Sequence, residues 1–256
     1  MDAGWARWIL EQFEFPFDRV FAPDLDAGNL EAKYDTLIFV EGGIPGAGAG
    51  RGRGTGAAAA GAAGAGAGGA RGGAAGPPNI PAEYQAHVGS VTIDRTMPIL
   101  KQFIENGGTV IAIGSSATNL ARYLALPVEN HKVENGQELT STKLYVPGSV
   151  VRARVDTTSP VAAGMNEHTD FFFDNGPVWR LGPDAAAKGV TPVAWFDTKT
   201  PLRSGWAWGQ HYLENGVIAV DARVGKGRAL LFGAEILQRA QPHATFKLLF
   251  NGIYMQ

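Results

Sequence analysis

The sequence predicts an α/β sandwich built on a mixed β-sheet, and three observations carry that expectation. Tyr34 to Val40 and Thr109 to Ile113 are almost continuous apolar runs, as strands covered on both faces are. The second run breaks at Gly114-Ser115-Ser116 and passes directly into a helical pattern. From Lys143 onward the pattern becomes β-rich, ending in two strands that flank the hairpin signature Gly225-Lys226-Gly227.

Taken in order, Trp5, Trp8, Ile9 and Phe13 fall at helical spacing behind Asp2, a good N-cap, and Pro16 stops that helix. Phe17 to Ala22 is expected as a strand, followed by the apolar strand Tyr34 to Val40. Asp24 and Asp26 flank Leu25 before Gly28-Asn29 and are expected to cap or turn the chain. Pro98 to Glu105 reads as a helix ended by Asn106-Gly107-Gly108, and Ala117 to Leu124 as the helix after the second apolar strand. Ser149 to Val155 alternates around Arg152 and Arg154, which implies one wet face. Short strands are expected at Asp170 to Phe173, Val178 to Leu181, Val193 to Phe196, Ile218 to Val224 and Arg228 to Phe232. A last helix from about His243 to Tyr254 carries Phe246, Leu249, Phe250 and Ile253 on one face.

The chain has 256 residues, 22 basic and 24 acidic side chains and no cysteine. Near-neutral charge gives no field for nucleic acid, so no nucleic-acid partner is expected. Without cysteine there is no disulfide, thiol nucleophile or cysteine-ligated metal. No apolar run approaches the roughly 20 residues of a spanning helix, so membrane insertion is not expected either. Met1 to Arg7 lacks the basic start and apolar stretch of a signal peptide. One domain over 1–256 is expected, with 46–81 as a disordered Gly/Ala/Pro-rich insertion: such composition cannot bury enough apolar area to offset the entropy of ordering it. A doubly wound sheet normally opens on a strand, whereas the first helix here begins almost at once. The expectation is a sheet lacking its first strand, in a chain cut from a longer one.

The strand, turn and helix around Ile111-Ala112-Ile113-Gly114-Ser115-Ser116-Ala117-Thr118 resemble the nucleophile elbow of class I glutamine-amidotransferase-like domains. The wider chain is similar to the branch found at the C-terminal end of bacterial zinc carboxypeptidases of the carboxypeptidase A type. The segments carrying that likeness are Gly4 to Phe13, Gly107 to Ser116, Pro147-Gly148-Ser149-Val150, Val155 to Pro160 and Gln241 to Asn251. The resemblance implies a three-layer, flavodoxin-like/amidotransferase-like sandwich with a mostly parallel sheet. It also implies a parent metallopeptidase, a hydrolase that is secreted or periplasmic, whose catalytic domain would be this chain's partner.

A glutaminase needs a thiolate on the elbow, a histidine to activate it and an acid to orient the histidine. Aligned on its glycine, the Gly-x-Cys-x-Gly elbow places Ser116 at the cysteine position. The family's Phe-His-Pro-Glu element falls on Phe232-Gly233-Ala234-Glu235, so Glu235 is kept and Gly233 stands for the histidine. The primary expectation is therefore a pseudoenzyme: a non-catalytic accessory domain with no cofactor and no metal. One alternative is a serine-dependent hydrolase using Ser116 with His211 or His243. Another is a glycan- or peptide-binding module on Trp206, Trp208, His211 and Tyr212. His131-x-x-Glu134 and Glu167-His168-x-Asp170 have ligand-type spacing but lie in solvated loop sequence, and no zinc site is expected from either. Asp170 and Asp174 form a carboxylate pair for which the sequence names no convergent partner.

Overall fold

The computed structural model describes residues 2–46 and 80–255. The low-complexity stretch 46–81 therefore lies, but for its ends, outside the described residues.

The chain opens with helix α1 (Asp2–Gln12), whose buried stripe is Ala6, Ile9 and Leu10. Trp8 and Phe13, expected on that stripe, are 44% and 51% exposed. Phe13 still packs edgewise and tilted on Phe246 and Phe250. The strand expected at Phe17 to Ala22 is absent. Residues 15–21 run without a ladder partner into a short helix α2 (Ala22–Asp26), because the Asp24 carboxylate accepts the Phe21 N–H at 3.0 Å and starts a helical turn. Asp26 accepts the Thr96 hydroxyl at 2.6 Å and pairs with Arg95, which ties α2 to helix α3 (Thr96–Glu105).

Strands β1 (Thr36–Phe39) and β2 (Thr109–Ile113) are the two apolar runs, and α4 (Ser115–Tyr123) follows β2 after one residue. The C-terminal half adds β3 (Val128–Asn130), the small hairpin β4 (Val133–Glu134) and β5 (Gln137–Glu138), then β6 (Ser149–Val155) and β7 (His168–Phe173). It continues with β8 (Trp179–Leu181), β9 (Val190–Trp195), β10 (Leu202–Ser204), the hairpin β11 (Val217–Val224) to β12 (Gly227–Phe232), and the last helix α5 (Phe246–Tyr254).

The main sheet runs β1-β2-β12-β11-β9-β6-β10, with β7 on β6 and β8 bridging β11 and β3. β1, β2 and β12 are mutually parallel, with Ile111 facing Ile38 on one side and Leu230 on the other. The other ladders are antiparallel, so the sheet is mixed, as expected, with its parallel block at β1, β2 and β12. The reason is local: from Lys143 onward strand connections include short turns, such as Gly225, which reverse the chain instead of crossing over.

Alternation along each strand feeds two cores. Ile111, Ile113, Leu230 and Phe232 point to the layer of α1 and α5. Val110, Ala112, Ala229 and Leu231 point to the layer of α2, α3 and α4. Both sheet faces are thus covered, giving the expected three-layer sandwich.

Candidate functional site

Parallel pairing sends the carboxyl ends of β1, β2 and β12 to one edge, where open α/β sheets place their sites. Gly114 follows β2 directly, Glu41 lies just past β1 after Val40, and Glu235 lies past β12 after Gly233 and Ala234. Gly114 is the sharp residue of the turn: its backbone sits at φ 62°, ψ −132°, its N–H donates to the Phe232 carbonyl at 2.7 Å, and α4 begins at the next residue. In an elbow, the side chain of this residue is the one held out over the sheet edge. The turn therefore puts Gly114, not Ser116, in the nucleophile's place.

A side chain has no room there. A Cβ on Gly114 would stand 1.8 Å from Glu41 Oε2 and 3.5 Å from Glu235 Oε1. Glu41 occupies the space and is held by the elbow itself, accepting the Ser115 N–H at 2.7 Å and the Ser115 hydroxyl. Ser116 lies a turn inward and is wholly buried. Its hydroxyl donates to the Val40 carbonyl at 2.6 Å and accepts the Ile44 N–H at 3.0 Å, so it fastens the β1 loop to α4.

The opposite wall is equally closed. A Cβ on Gly233 would meet the Pro177 carbonyl oxygen at 2.1 Å, so position 233 has no room for a side chain, an imidazole included. Glu235 is half-buried. Loss of hydration raises its pKa to about 7, and the Glu41, Asp2 and Asp174 carboxylates push in the same direction. The space beside it, between Asp2 and Trp5 of α1 and Val40, Ile113 and Leu237, is a cavity of about 10 Å³. That is room for about one water and for no substrate.

The remaining candidates lie apart. His211 packs tilted on Tyr212 with ring centroids 4.3 Å apart, and His243 packs on Phe246 at 5.2 Å. Neither imidazole is among the hydrogen-bond partners of Ser116. Tyr212 donates its hydroxyl to Glu134 Oε1 at 2.8 Å, and Lys143 pairs with the same carboxylate. These contacts hold Glu134 below the usual carboxylate range, Lys143 first and Tyr212 second. His131 bonds instead to the Glu214 carbonyl at 3.0 Å. Glu167, His168 and Asp170 separate to Arg154, Asp197 and Arg152. Among the described residues no three such groups converge as metal ligands.

Trp206 and Trp208 are 52% and 56% exposed, as a ligand platform requires. A third ring that sequence reasoning missed, Tyr145, joins them. It meets Trp206 edge to face at 6.0 Å, and its backbone exchanges hydrogen bonds with Trp208 at 3.0 and 2.8 Å. Glu41 was missed as well, although an acid at the end of a buried apolar strand and before Gly42-Gly43 is a readable signal for a residue at the sheet's carboxyl edge.

No family model and no curated relative matches the chain. Among solved structures, a cytoplasmic protein from Salmonella typhimurium is similar over 98% of this chain and 85% of its own, with 13% identity and a TM-score of 0.49. A ThuA-like protein from Bacteroides uniformis covers 62% of this chain and 62% of its own, with 13% identity and a TM-score of 0.37. A β-galactosidase from Bacillus circulans sp. alkalophilus covers 62% of this chain, with 10% identity and a TM-score of 0.40. This chain spans 20% of that enzyme's length.

Proposed function

We propose that the chain is a non-catalytic accessory domain with an amidotransferase-like fold, serving a zinc carboxypeptidase-type catalytic domain that lies outside it. The observation that carries the non-catalytic half is the filled elbow. Glycine stands at the nucleophile's turn, the Glu41 carboxylate occupies the space a nucleophile would need, and Gly233 is pressed on the Pro177 carbonyl. A hydroxyl as buried as that of Ser116, already donating to a backbone carbonyl, has neither a base nor an approach for substrate. The carboxypeptidase association rests on the sequence resemblance. An accessory role also agrees with Trp8, Phe13 and Tyr254, large apolar side chains left exposed around α1 and α5.

The test is hydrolysis by the purified chain of glutamine, a p-nitrophenyl ester and a short peptide. The expected result is no rate above buffer. A rate that Ser116→Ala abolishes would overturn the non-catalytic reading. The association has its own test in the genomic reading frame ahead of Met1: a zinc-peptidase domain in frame supports it, and a stop codon directly upstream removes it.

A further inference from the structure

A second cavity among the described residues lies away from the elbow. It has a volume of about 330 Å³, at the lower end of the range for small-molecule sites, and opens beside Tyr145. Four of its walls are apolar: Leu139, Leu144, Val146 and Phe173. The cation on its lining is Lys132.

Lys132 is fixed in an unusual way. Its ammonium donates to the carbonyl oxygens of Asn175 at 3.1 Å and Gly176 at 3.0 Å. An ammonium has three donors, so one remains after these two. No carboxylate pairs with it among the described residues. The Glu138 carboxylate, whose charge acts on Lys132 without pairing with it, accepts the Asn130 side-chain amide at 3.2 Å. Asn175 in turn is locked by its own side-chain oxygen, which accepts the Val146 N–H at 2.8 Å. The ammonium is therefore held by backbone that belongs to the cavity wall.

We propose that this cavity binds a carboxylate carried on an apolar body, with the Lys132 ammonium on the carboxylate and the apolar group against Leu139, Leu144, Val146 and Phe173. A peptide ending in an apolar residue has this chemistry, and so does a free aliphatic acid; a peptide would extend past the rim over the exposed Tyr145 ring. Burial also lowers the Lys132 pKa from the ordinary lysine value, with Glu138 opposing, so an incoming anion relieves a cation that has lost hydration. The site uses no elbow residue and stands whether or not the accessory-domain reading does.

The test is titration of the whole chain, followed by calorimetry and by amide chemical shifts, with probes that differ in one group. N-acetyl-L-leucine is expected to bind and to shift the amides of Val146 and Asn175. N-acetyl-L-leucinamide, the same body without the charge, is expected to bind at least about tenfold more weakly. Lys132→Met, which keeps the stem and removes the charge, is expected to lose the acid's advantage. Should that variant fail to fold, the acid and amide pair on the unmodified chain decides the matter alone. Octanoate separates the two sources: binding equal to N-acetyl-L-leucine assigns the site to free aliphatic acids, and clearly weaker binding assigns it to peptide ends. Equal affinity for acid and amide, no binding of either at ~10 mM, or binding of chitotriose with none of the acids would overturn the proposal.

Discussion

Replacing Glu235 by glutamine should stabilise the protein above about pH 4.5, with the full gain above about pH 7. Glutamine keeps the shape of the protonated carboxyl and removes the possibility of charge. In the unfolded chain Glu235 releases its proton near its ordinary value of 4.5, whereas in the folded protein it holds the proton to about 7. Between those values the folded state carries one more proton than the unfolded state, so its stability falls as pH rises through the window. The cost is absent below about pH 4.5 and complete above about pH 7. At 1.36 kcal/mol per pH unit the full cost is about 3 kcal/mol. Urea unfolding of both proteins at about pH 5 and about pH 8 measures it. The variant should gain up to about 3 kcal/mol at the higher pH and well under half of that at the lower, with a rise in Tm of about 6–12 °C at the higher pH. If the two proteins lose the same stability between the two pH values, or if glutamine destabilises at about pH 8, then Glu235 is not a desolvated acid and the account of the elbow's electrostatics fails.

Three further substitutions each test a single contact. Gly114→Ala forces a side chain into left-handed backbone and against Glu41, and should cost about 3 kcal/mol in chemical denaturation; a neutral result would show that the turn relaxes freely. Ser116→Ala leaves the buried Ile44 N–H without its partner, while the Val40 carbonyl keeps the Gly43 N–H at 3.0 Å, and should cost about 1–3 kcal/mol, again by urea unfolding. Arg228→Met strands Asp221, whose pKa is already raised by burial against the opposing pull of Arg228 and Arg223, and should cost about 3 kcal/mol at neutral pH, less as Asp221 is titrated in acid.

Long apolar runs made much of the architecture legible. Tyr34 to Val40 and Thr109 to Ile113 read as strands from their apolar runs, the second buried throughout and the first on alternate residues, and the Gly225-Lys226-Gly227 hairpin follows from its turn chemistry. Phe17 to Ala22 misled because alternation alone does not supply a ladder partner, and the Asp24 cap turns the same residues into the approach to a helix. The β4–β5 hairpin spans two residues per strand, too few for any period to register. At the elbow the residues were visible but their register was not. Aligning a glycine motif selects Ser116, whereas the backbone makes its sharp turn two residues earlier, and only dihedral angles distinguish the two. Glu41 and Tyr145 meet their partners across 74 and 61 residues of sequence respectively, a distance that no local pattern encodes.

The contact between Gly233 and the Pro177 carbonyl has a consequence for descent. An imidazole gained at position 233 would collide with backbone, and a thiol gained at 114 would have to evict Glu41. Either change alone carries a stability loss with no catalytic return, because neither group can act without the other. A lineage carrying this chain therefore faces a valley between its present state and glutaminase chemistry that single substitutions do not cross. The Lys132 cavity, about 330 Å³ against about 10 Å³ beside Glu235, already has the volume that the sheet edge lacks.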